Sequence, residues 1–230
     1  MSKLGLYIPV GPNPIFLRLF MLQLSRQTYQ PNHIALYENG CKSSCFEWAC
    51  KDILPTFSGR ITHTHVPEYV NEVKRYFIPL KQLYLHPGEI DFFLKCDSDD
   101  FYSDNHIEKM VEGLGNHDLF LNKNSSICLV RPHRGDFSYK ESAVMHHNPM
   151  GCAPQAIFNR KFAEKYLGAL ASWADRPEVE QVTADDDLMA EMSKDMDVVI
   201  GDQPAHYTYV SHGSNHSSSN WQSTGGKIYL

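Results

Sequence analysis

Several features are scarce in this chain, and each scarcity argues against a class of protein. No segment approaches the roughly 20 consecutive apolar residues of a transmembrane helix. The apolar run at residues 4–10 is broken by Pro9 and is too short for a signal peptide, so we expect a cytoplasmic protein without a membrane span. Long basic runs are also missing and the formal net charge is -6, which disfavours nucleic acid as a partner.

Cysteine is sparse as well. Six cysteines in 230 residues are too few for a small scaffold held by disulfides, so we expect reduced thiols. Close C-x-x-C pairs, which are typical of structural zinc sites, are absent from the sequence. His63 and His65 nevertheless leave zinc binding near Cys41 and Cys45 open.

The length and the apolar pattern predict one α/β domain. With 230 residues, of which 42% are hydrophobic, the chain can bury one sizeable core. Strand-like and helix-like signals alternate in the first hundred residues, which predicts βα units and a mainly parallel sheet covered on both faces. The predicted strands are residues 4–8, 33–37, 61–66, 91–96, 118–122, 127–130 and 155–158. The predicted helices are residues 15–24, 44–54, 68–85, 159–173 and 183–194, the second opened by a Ser44-x-x-Glu47 capping box and the third interrupted at Pro79.

The most informative segment is FFLKCDSDDF at residues 92–101, where an apolar strand ends in three acids within four positions. Carboxylates at such a strand end repel one another unless a cation neutralises them. Side chains i and i+2 lie on the same side of an extended backbone, so Asp97 and Asp99 can hold one hard divalent ion.

Two other interpretations of this segment are open. A calcium loop beginning at Asp97 would place Phe101 where an oxygen ligand is needed and Tyr102 where a glycine is needed, which disfavours it. A polar turn that caps a helix beginning near Ser103 would have the same composition.

Two further features bear on the choice. The turns after the first, second and fourth predicted strands should surround one crevice, because open α/β sheets bind ligands at the carboxyl ends of their strands.

A second acidic run, ADDDL at residues 184–188, opens a helical pattern and has more acids than capping requires. Adjacent carboxylates raise one another's proton affinity, which suits a general base.

In their order, these pieces resemble the family-2 glycosyltransferases with the GT-A fold. The resemblance extends from residue 4 to about residue 221 and rests on these segments: Pro9-Val10-Gly11, SRQTYQP at 25–31, Glu38-Asn39-Gly40, Asp97-Ser98-Asp99-Asp100, Asp185 before Leu188, and YVSHGSN at 209–215. The chain departs from the family where Glu38 replaces a frequent Asp and where Ala184 replaces a frequent Glu.

The resemblance implies a GT-A fold with a Rossmann-like, mostly parallel nucleotide-binding half at residues 1–102. A smaller acceptor-binding and catalytic part would follow at 103–211, with a flexible tail or lid at 212–230. The implied activity is metal-dependent transfer of a sugar, with inversion, from a nucleotide sugar to a hydroxyl of a glycan or glycoconjugate. A UDP-sugar is favoured, dTDP and GDP are open, and the cation would be Mn²⁺ or Mg²⁺.

The resemblance also implies roles for particular residues. Asp185, with Asp186 as the alternative, would be the catalytic base. The cation would be held by Asp97, Asp99 and His212. The donor would be bound by Pro9, Val10, Gly11, Glu38, Lys74, Asp97, Ser98 and Asp99, with Asn71 and Arg75 as alternatives to Lys74. Residues 150–155 would meet the acceptor, and Trp221 would belong to the lid.

Two rival functions are weighed against this one. A non-enzymatic calcium-dependent sugar-binding module would explain the acids at 97–100 but not those at 185–187. A sugar-nucleotide nucleotidyltransferase usually has a glycine-rich, basic loop after its first strand, and Gly11-Pro12-Asn13-Pro14 contains no lysine or arginine.

Overall fold

The computed structural model describes residues 2–11, 13–86, 88, 90–131, 136–143, 155–176 and 184–211. Its strands are β1 (Leu4–Val10), β2 (His33–Asn39), β3 (Arg60–Val66), β4 (Phe92–Lys95), β5 (Phe101–Tyr102), β6 (Leu119–Asn122), β7 (Ser125–Arg131), β8 (Asp136–Ala143), β9 (Ala156–Asn159), β10 (Val198–Gly201) and β11 (Tyr207–Ser211). Its helices are α1 (Pro14–Ser25), α2 (Phe46–Cys50), α3 (Glu72–Tyr84), α4 (His106–Leu114), α5 (Arg160–Trp173) and α6 (Ala184–Met192). Within these ranges, no helix is long and apolar enough to cross a membrane.

The larger sheet has the strand order β10-β6-β9-β4-β1-β2-β3. The pairs β1–β2, β1–β4, β2–β3 and β6–β10 are parallel, and β9 is antiparallel to both β4 and β6. The chain builds β1, β2 and β3 in one direction and then returns to place β4 on the other side of β1. The strand order therefore reverses between β1 and β4, which is where open α/β sheets form a ligand crevice.

Apolar layers cover both faces of this sheet, as predicted. β1 is buried at every position, and its side chains alternate between the two layers. Leu6 and Ile8 belong to the layer formed with α1, α2 and α4, whereas Tyr7 belongs to the layer formed with α3, α5 and α6. A parallel strand covered on both sides is apolar throughout for this reason.

The smaller sheet has the order β5-β11-β7-β8. β11 pairs antiparallel with β5 and parallel with β7, and β7 pairs antiparallel with β8. The sequence pattern predicts β7 but not β5, β8 or β11, and it also misses β10 in the larger sheet. β5 contains only two residues, which is too short to show a periodic pattern.

Two predicted helices differ from the observed ones. The capping box at Ser44 is wrong: the Ser44 hydroxyl donates to Glu38, and the helix is only the five-residue α2. α3 begins at Glu72 rather than Glu68, with the Asn71 side chain accepting from the Lys74 amide at 3.0 Å. It continues through Pro79, because one lost backbone hydrogen bond is outweighed by the buried apolar face of this helix.

Candidate active site

The carboxyl ends of β1, β2 and β4 meet at one edge of the larger sheet. The Ser98 hydroxyl, after β4, donates to the carbonyl oxygen of Pro9 at 3.3 Å. In the neighbouring pair of strands, Val10 of β1 is in register with Glu38 of β2. A Cβ atom added at Gly11 would meet nothing within 4 Å, so space is open beside this turn. The structure therefore brings together Pro9, Val10, Glu38 and the acidic loop, defined as residues 97–100.

Tyr102 holds the start of the acidic loop. Its hydroxyl accepts from the Asp97 amide at 2.7 Å and donates to the Asp97 carbonyl at 3.2 Å. Its own amide donates to Gln23 of α1 at 2.7 Å. The backbone of Asp97 is thus fixed, whereas its side chain is 27% exposed and can reach a ligand.

The Asp100 side chain is directed at β11. It is buried and accepts from the Tyr207 hydroxyl at 2.5 Å and from the Val210 amide at 2.8 Å. Burial raises the pKa of Asp100 well above its usual range, the charges of Asp99 and Asp97 add to this, and the two donors oppose it. This carboxylate joins the acidic loop to β11.

Lys95 is a residue of the site to which the sequence analysis gave no role. Its side chain is only 3% exposed, and its ammonium lies 3.4 Å from Asp97 Oδ2 and 4.0 Å from the centroid of the Tyr76 ring. The sequence feature that could have pointed to Lys95 is a lysine at the end of the otherwise apolar strand FFLK. The Asp97 carboxylate and the face of the Tyr76 ring are among the interactions that compensate this buried charge.

Glu38 lies at the predicted edge, but its carboxylate is enclosed by protein. The residue has no exposed surface and accepts from the Ser44 hydroxyl at 2.6 Å and the Cys45 amide at 2.8 Å, with His63 Nε2 at 3.0 Å. Burial acts to raise the pKa of Glu38, but hydrogen bonds from Cys45, Ser44 and His63 outweigh it, so the pKa is lowered. The carboxylate is therefore ionised and anchors the segment that leads into α2.

Lys74 and its alternatives lie around the start of α3. The Lys74 ammonium is 3.5 Å from Asp175, and both side chains are exposed. Asn71 caps α3 and donates to the Ala174 carbonyl at 2.7 Å, which ties α3 to the end of α5. Asn71 therefore has a structural role, whereas donor binding by Lys74 stays a prediction.

The predicted base lies at the start of α6. Residues 184–187 form its first turn, and Leu188 and Met189 pack into the layer that contains Tyr76 and Phe93. The side chains of Asp185 and Asp186 are outside the described part of the chain. So are His212, Trp221 and residues 150–154 of the predicted acceptor segment.

The acidic loop is the place where the sequence predicts a divalent cation. Asp97 and Asp99 offer two carboxylates, and no group of three potential metal-ligating side chains occurs among the described residues. Mg²⁺ is commonly bound by one or two carboxylates together with substrate phosphates and water, whereas Ca²⁺ sites use six to eight oxygens. Cation binding by Asp97 and Asp99 stays a prediction. Near the cysteines, His65 Nε2 contacts the Cys41 carbonyl oxygen at 2.8 Å and His63 Nε2 lies 3.0 Å from Glu38, so both of these ring nitrogens already have protein partners.

Comparison with known proteins identifies the fold. No known family profile matches the chain, and no curated protein is similar in sequence. Crystal structures of S. aureus TarS, a family-2 glycosyltransferase with the GT-A fold, do match. TarS 1–349 in complex with UDP-GlcNAc aligns over 95% of this chain and 61% of that one, with a TM-score of 0.67 and 13% identity. The UDP complex of TarS 1–349 aligns over 91% of this chain and 61% of that one, with a TM-score of 0.65 and 14% identity. A longer TarS structure aligns over 91% of this chain and 37% of that one, with a TM-score of 0.64 and 14% identity.

The chain therefore has a GT-A fold, as the sequence predicts, and spans 37% to 61% of the length of these TarS structures. At this level of identity the likeness concerns the fold alone.

Proposed function

We propose that this chain is a glycosyltransferase that moves a sugar from a nucleotide-sugar donor, with a UDP-sugar favoured, to a hydroxyl of a glycan or glycoconjugate. The observation that carries the proposal is the contact of the acidic loop with the end of β1 at the switch point, where the Ser98 hydroxyl is 3.3 Å from the Pro9 carbonyl oxygen and β2 lies alongside β1. The UDP-GlcNAc and UDP complexes of TarS, which shares the fold, support the donor class.

In this proposal the nucleoside lies beside Pro9, Val10 and Gly11, where space is open, and the diphosphate lies over Asp97, Ser98 and Asp99. Glu38 shapes the nucleoside side of the site by fixing the segment before α2. Lys74, whose partner Asp175 is exposed and easily exchanged, is available to the donor from the start of α3.

A divalent cation, Mn²⁺ or Mg²⁺, would be held by Asp97 and Asp99, with His212 as a third ligand. It would neutralise the negative charge that grows on the diphosphate as it leaves. Tyr102 keeps the backbone of Asp97 in place for this role.

In the transfer step, Asp185 would be the general base, with Asp186 as the alternative. The acceptor hydroxyl oxygen forms a bond to the anomeric carbon while the bond from that carbon to the diphosphate oxygen breaks. The electron pair of the broken bond stays on the diphosphate, and the hydroxyl proton passes to the Asp185 carboxylate. Attack from the face opposite the leaving group gives inversion.

The test is release of nucleoside diphosphate from UDP-, dTDP- and GDP-sugars, with Mn²⁺ or with a chelator. Because positioned general bases contribute about 10²- to 10⁴-fold, we expect Asp185→Asn to reduce the rate by about that factor. Full activity of Asp185→Asn with an inactive Asp186→Asn would move the base by one residue. Asp99→Ala should lose the response to Mn²⁺, and undiminished activity of Asp99→Ala in chelator would rule out the proposed cation site.

The matched control is Asp91→Asn. Asp91 precedes β4 at the opposite end of the strand and accepts from the Lys3 amide at 2.7 Å, so this variant should keep the wild-type rate. Calcium-dependent binding of free sugar without nucleotide release would favour the sugar-binding module. Release of pyrophosphate from a nucleoside triphosphate and a sugar phosphate would favour the nucleotidyltransferase.

A further inference from the structure

The outer face of α1 is apolar although it is exposed. Ile15, Leu19 and Leu22 are 63%, 39% and 37% exposed, and their spacing places them on one side of the helix. The opposite side, which includes Leu17 and Phe20, is buried in the layer that packs on the larger sheet. A helix that is apolar on both sides is normally covered on both sides, so we expect this outer strip to have an occupant.

The apolar strip continues into a groove between α1 and β5. The groove has a volume of about 570 Å³, and Leu19, Leu22 and Phe101 form part of its wall. Phe101 is itself 39% exposed. Of the described lining residues only Arg26 is charged, and its Nε lies 3.8 Å from the Asp104 carboxylate. The groove therefore suits an apolar or aromatic side chain better than a charged ligand.

The chain leaves β11 close to this groove. Thr208 of β11 is in register with Phe101 of β5, and β11 ends three residues later at Ser211. Neighbouring strands lie about 4.8 Å apart and a strand rises about 3.4 Å per residue, so the backbone of Ser211 is roughly 10–12 Å from that of Phe101. Residues 212–230, which follow Ser211, lie outside the described part of the chain.

The sequence of residues 212–230 has the composition of a linker followed by an anchor. Residues 212–220, HGSNHSSSN, contain no large apolar side chain, and Trp221 is the first one after β11. A flexible linker of ten residues has a root-mean-square span of about 16–19 Å, so Trp221 can reach the groove without full extension. Such a tether also gives the indole an effective concentration in the millimolar range. A second copy of the chain would instead need an interface of about 1,000 Å² or more, so the chain's own segment is the favoured occupant.

We propose that residues 212–230 dock on the outer face of α1, with the Trp221 indole in the groove between α1 and β5. The ring covers Leu19, Leu22 and Phe101, and a buried tryptophan contributes a large apolar area at such a docking site. The segment is thereby held at both ends, by β11 and by the groove. This docking goes beyond the proposed function and does not depend on the reaction at the donor edge.

The experiment places the photoreactive residue p-benzoylphenylalanine at position 22, in place of Leu22, in the full chain and identifies the crosslinked peptides by mass spectrometry. We expect a crosslink within one chain to the peptide that contains Trp221. Loss of a large buried apolar side chain weakens docking about 10- to 100-fold, so Trp221→Ser should reduce the yield of this crosslink at least about fivefold. The matched control is Trp48→Ser, which should leave the yield unchanged, because Trp48 is 65% exposed on α2 and does not line the groove.

A second position tests whether the crosslink is specific to the groove. Leu85 follows α3 and is 65% exposed, so p-benzoylphenylalanine in its place is accessible but far from the groove wall. We expect no crosslink from this position to residues 212–230. Should the replacement of Leu22 unfold the protein, the more exposed Leu19 on the same strip takes its place, and the same results are expected there.

The outcomes separate the possible occupants of the groove. A crosslink at the mass of one chain that depends on Trp221 would support the docking. A crosslink at the mass of two chains would identify a second copy as the occupant and overturn it. A crosslink to residues 212–230 that persists in Trp221→Ser, or that forms equally well from position 85, would also overturn it, as would the absence of any crosslink from the groove.

Discussion

Asp100 shows how a residue in a sequence motif can take a role that the motif does not reveal. The side chain of its neighbour Asp97 is partly exposed, whereas Asp100 is buried and accepts from Tyr207 and Val210. These partners are 107 and 110 positions away in the chain, so no local pattern indicates them. The prediction that Asp97 and Asp99 form a pair assumed an extended backbone, but residues 97–100 form a turn in which the Asp100 amide donates to the Asp97 carbonyl at 3.4 Å. Joint binding of a cation by Asp97 and Asp99 stays a prediction.

We expect Asp100 and Tyr207 to stabilise the fold as one unit. Asp100→Asn should lower the free energy of unfolding by about 1–3 kcal/mol, because an amide cannot accept from both donors as the carboxylate does. Urea unfolding of Asp100→Asn, Tyr207→Phe and the double variant should give a coupling energy of about 0.5–3 kcal/mol. If the losses of stability of the two single variants simply added up in the double variant, Asp100 and Tyr207 would not interact. Tyr29→Phe, which removes an exposed hydrogen bond to the Ser2 carbonyl, is the control and should change stability little.

Two buried histidines predict a pH dependence of stability. His106 Nδ1 and His206 Nδ1 are 2.7 Å apart, an arrangement that requires one bare and one protonated nitrogen. Burial, together with the charge of Lys109, lowers the pKa of His206 to about 4. Burial and the neighbouring His206 lower the pKa of His106 well below its usual range.

Because the unfolded chain binds these protons more readily, the stabilisation is complete above about pH 6.5 and is lost as the pH falls toward 4. Each proton taken up on unfolding gives a slope of about 1.4 kcal/mol per pH unit. Urea midpoints between pH 7 and pH 4 should therefore fall less steeply for His206→Gln than for the wild type. Parallel curves for the two proteins would show that His206 does not titrate in this way.

At the scale of elements, the sequence predicted most of the βα units of the first half and missed α4, β5, β8, β10 and β11. β1 to β4 and α1, α5 and α6 have apolar patterns long enough to recognise, and they form where predicted. α2 is shorter than predicted because Glu38, a residue of the preceding strand, takes the Ser44 hydroxyl. Lys95 was assigned no role because only the packing of α3 against the sheet places Tyr76 beside it.

The packing of α4 and β10 on β6 can be tested through glycines. A Cβ added at Gly113 or Gly201 would lie 2.3 Å or 2.5 Å from the Phe120 ring. We expect Gly201→Ala to destabilise the protein by about 1–3 kcal/mol through overpacking, and Phe120→Leu to relieve much of that cost in the double variant. Thermal unfolding measures both effects.

Gly168→Ala is the control for this packing. Gly168 lies inside α5, and a Cβ there would meet nothing within 4 Å, so the substitution should stabilise the helix by up to about 1 kcal/mol. If Gly201→Ala were as well tolerated as Gly168→Ala, the close approach of β10 to Phe120 would be wrong.

At the scale of the whole molecule, the alternation of strand and helix signals predicted a mainly parallel sheet covered on both faces, and the resemblance to the family-2 glycosyltransferases predicted the GT-A fold. Ligand binding at the carboxyl edge of this sheet stays a prediction. The smaller sheet was not predictable, because β11 pairs with β5 across 105 to 107 positions of the chain and with β7 across 82 positions. The larger sheet also takes β6, β9 and β10 from the second half, so both halves of the sequence build it. The predicted division of the chain at residue 102 stays a prediction.

The central claim is that a nucleoside diphosphate binds at the carboxyl edge of β1, β2 and β4. Hydrogen–deuterium exchange with and without UDP and Mn²⁺ tests it most directly, because the method reports both binding and position. We expect slower exchange in peptides that cover residues 9–11, 38–41 and 96–101, and no change at residues 116–119 on the opposite edge. Unchanged exchange at all of these peptides, or protection confined to peptides of α1, whose Leu19, Leu22 and Gln23 line a groove of about 570 Å³, would contradict the claim.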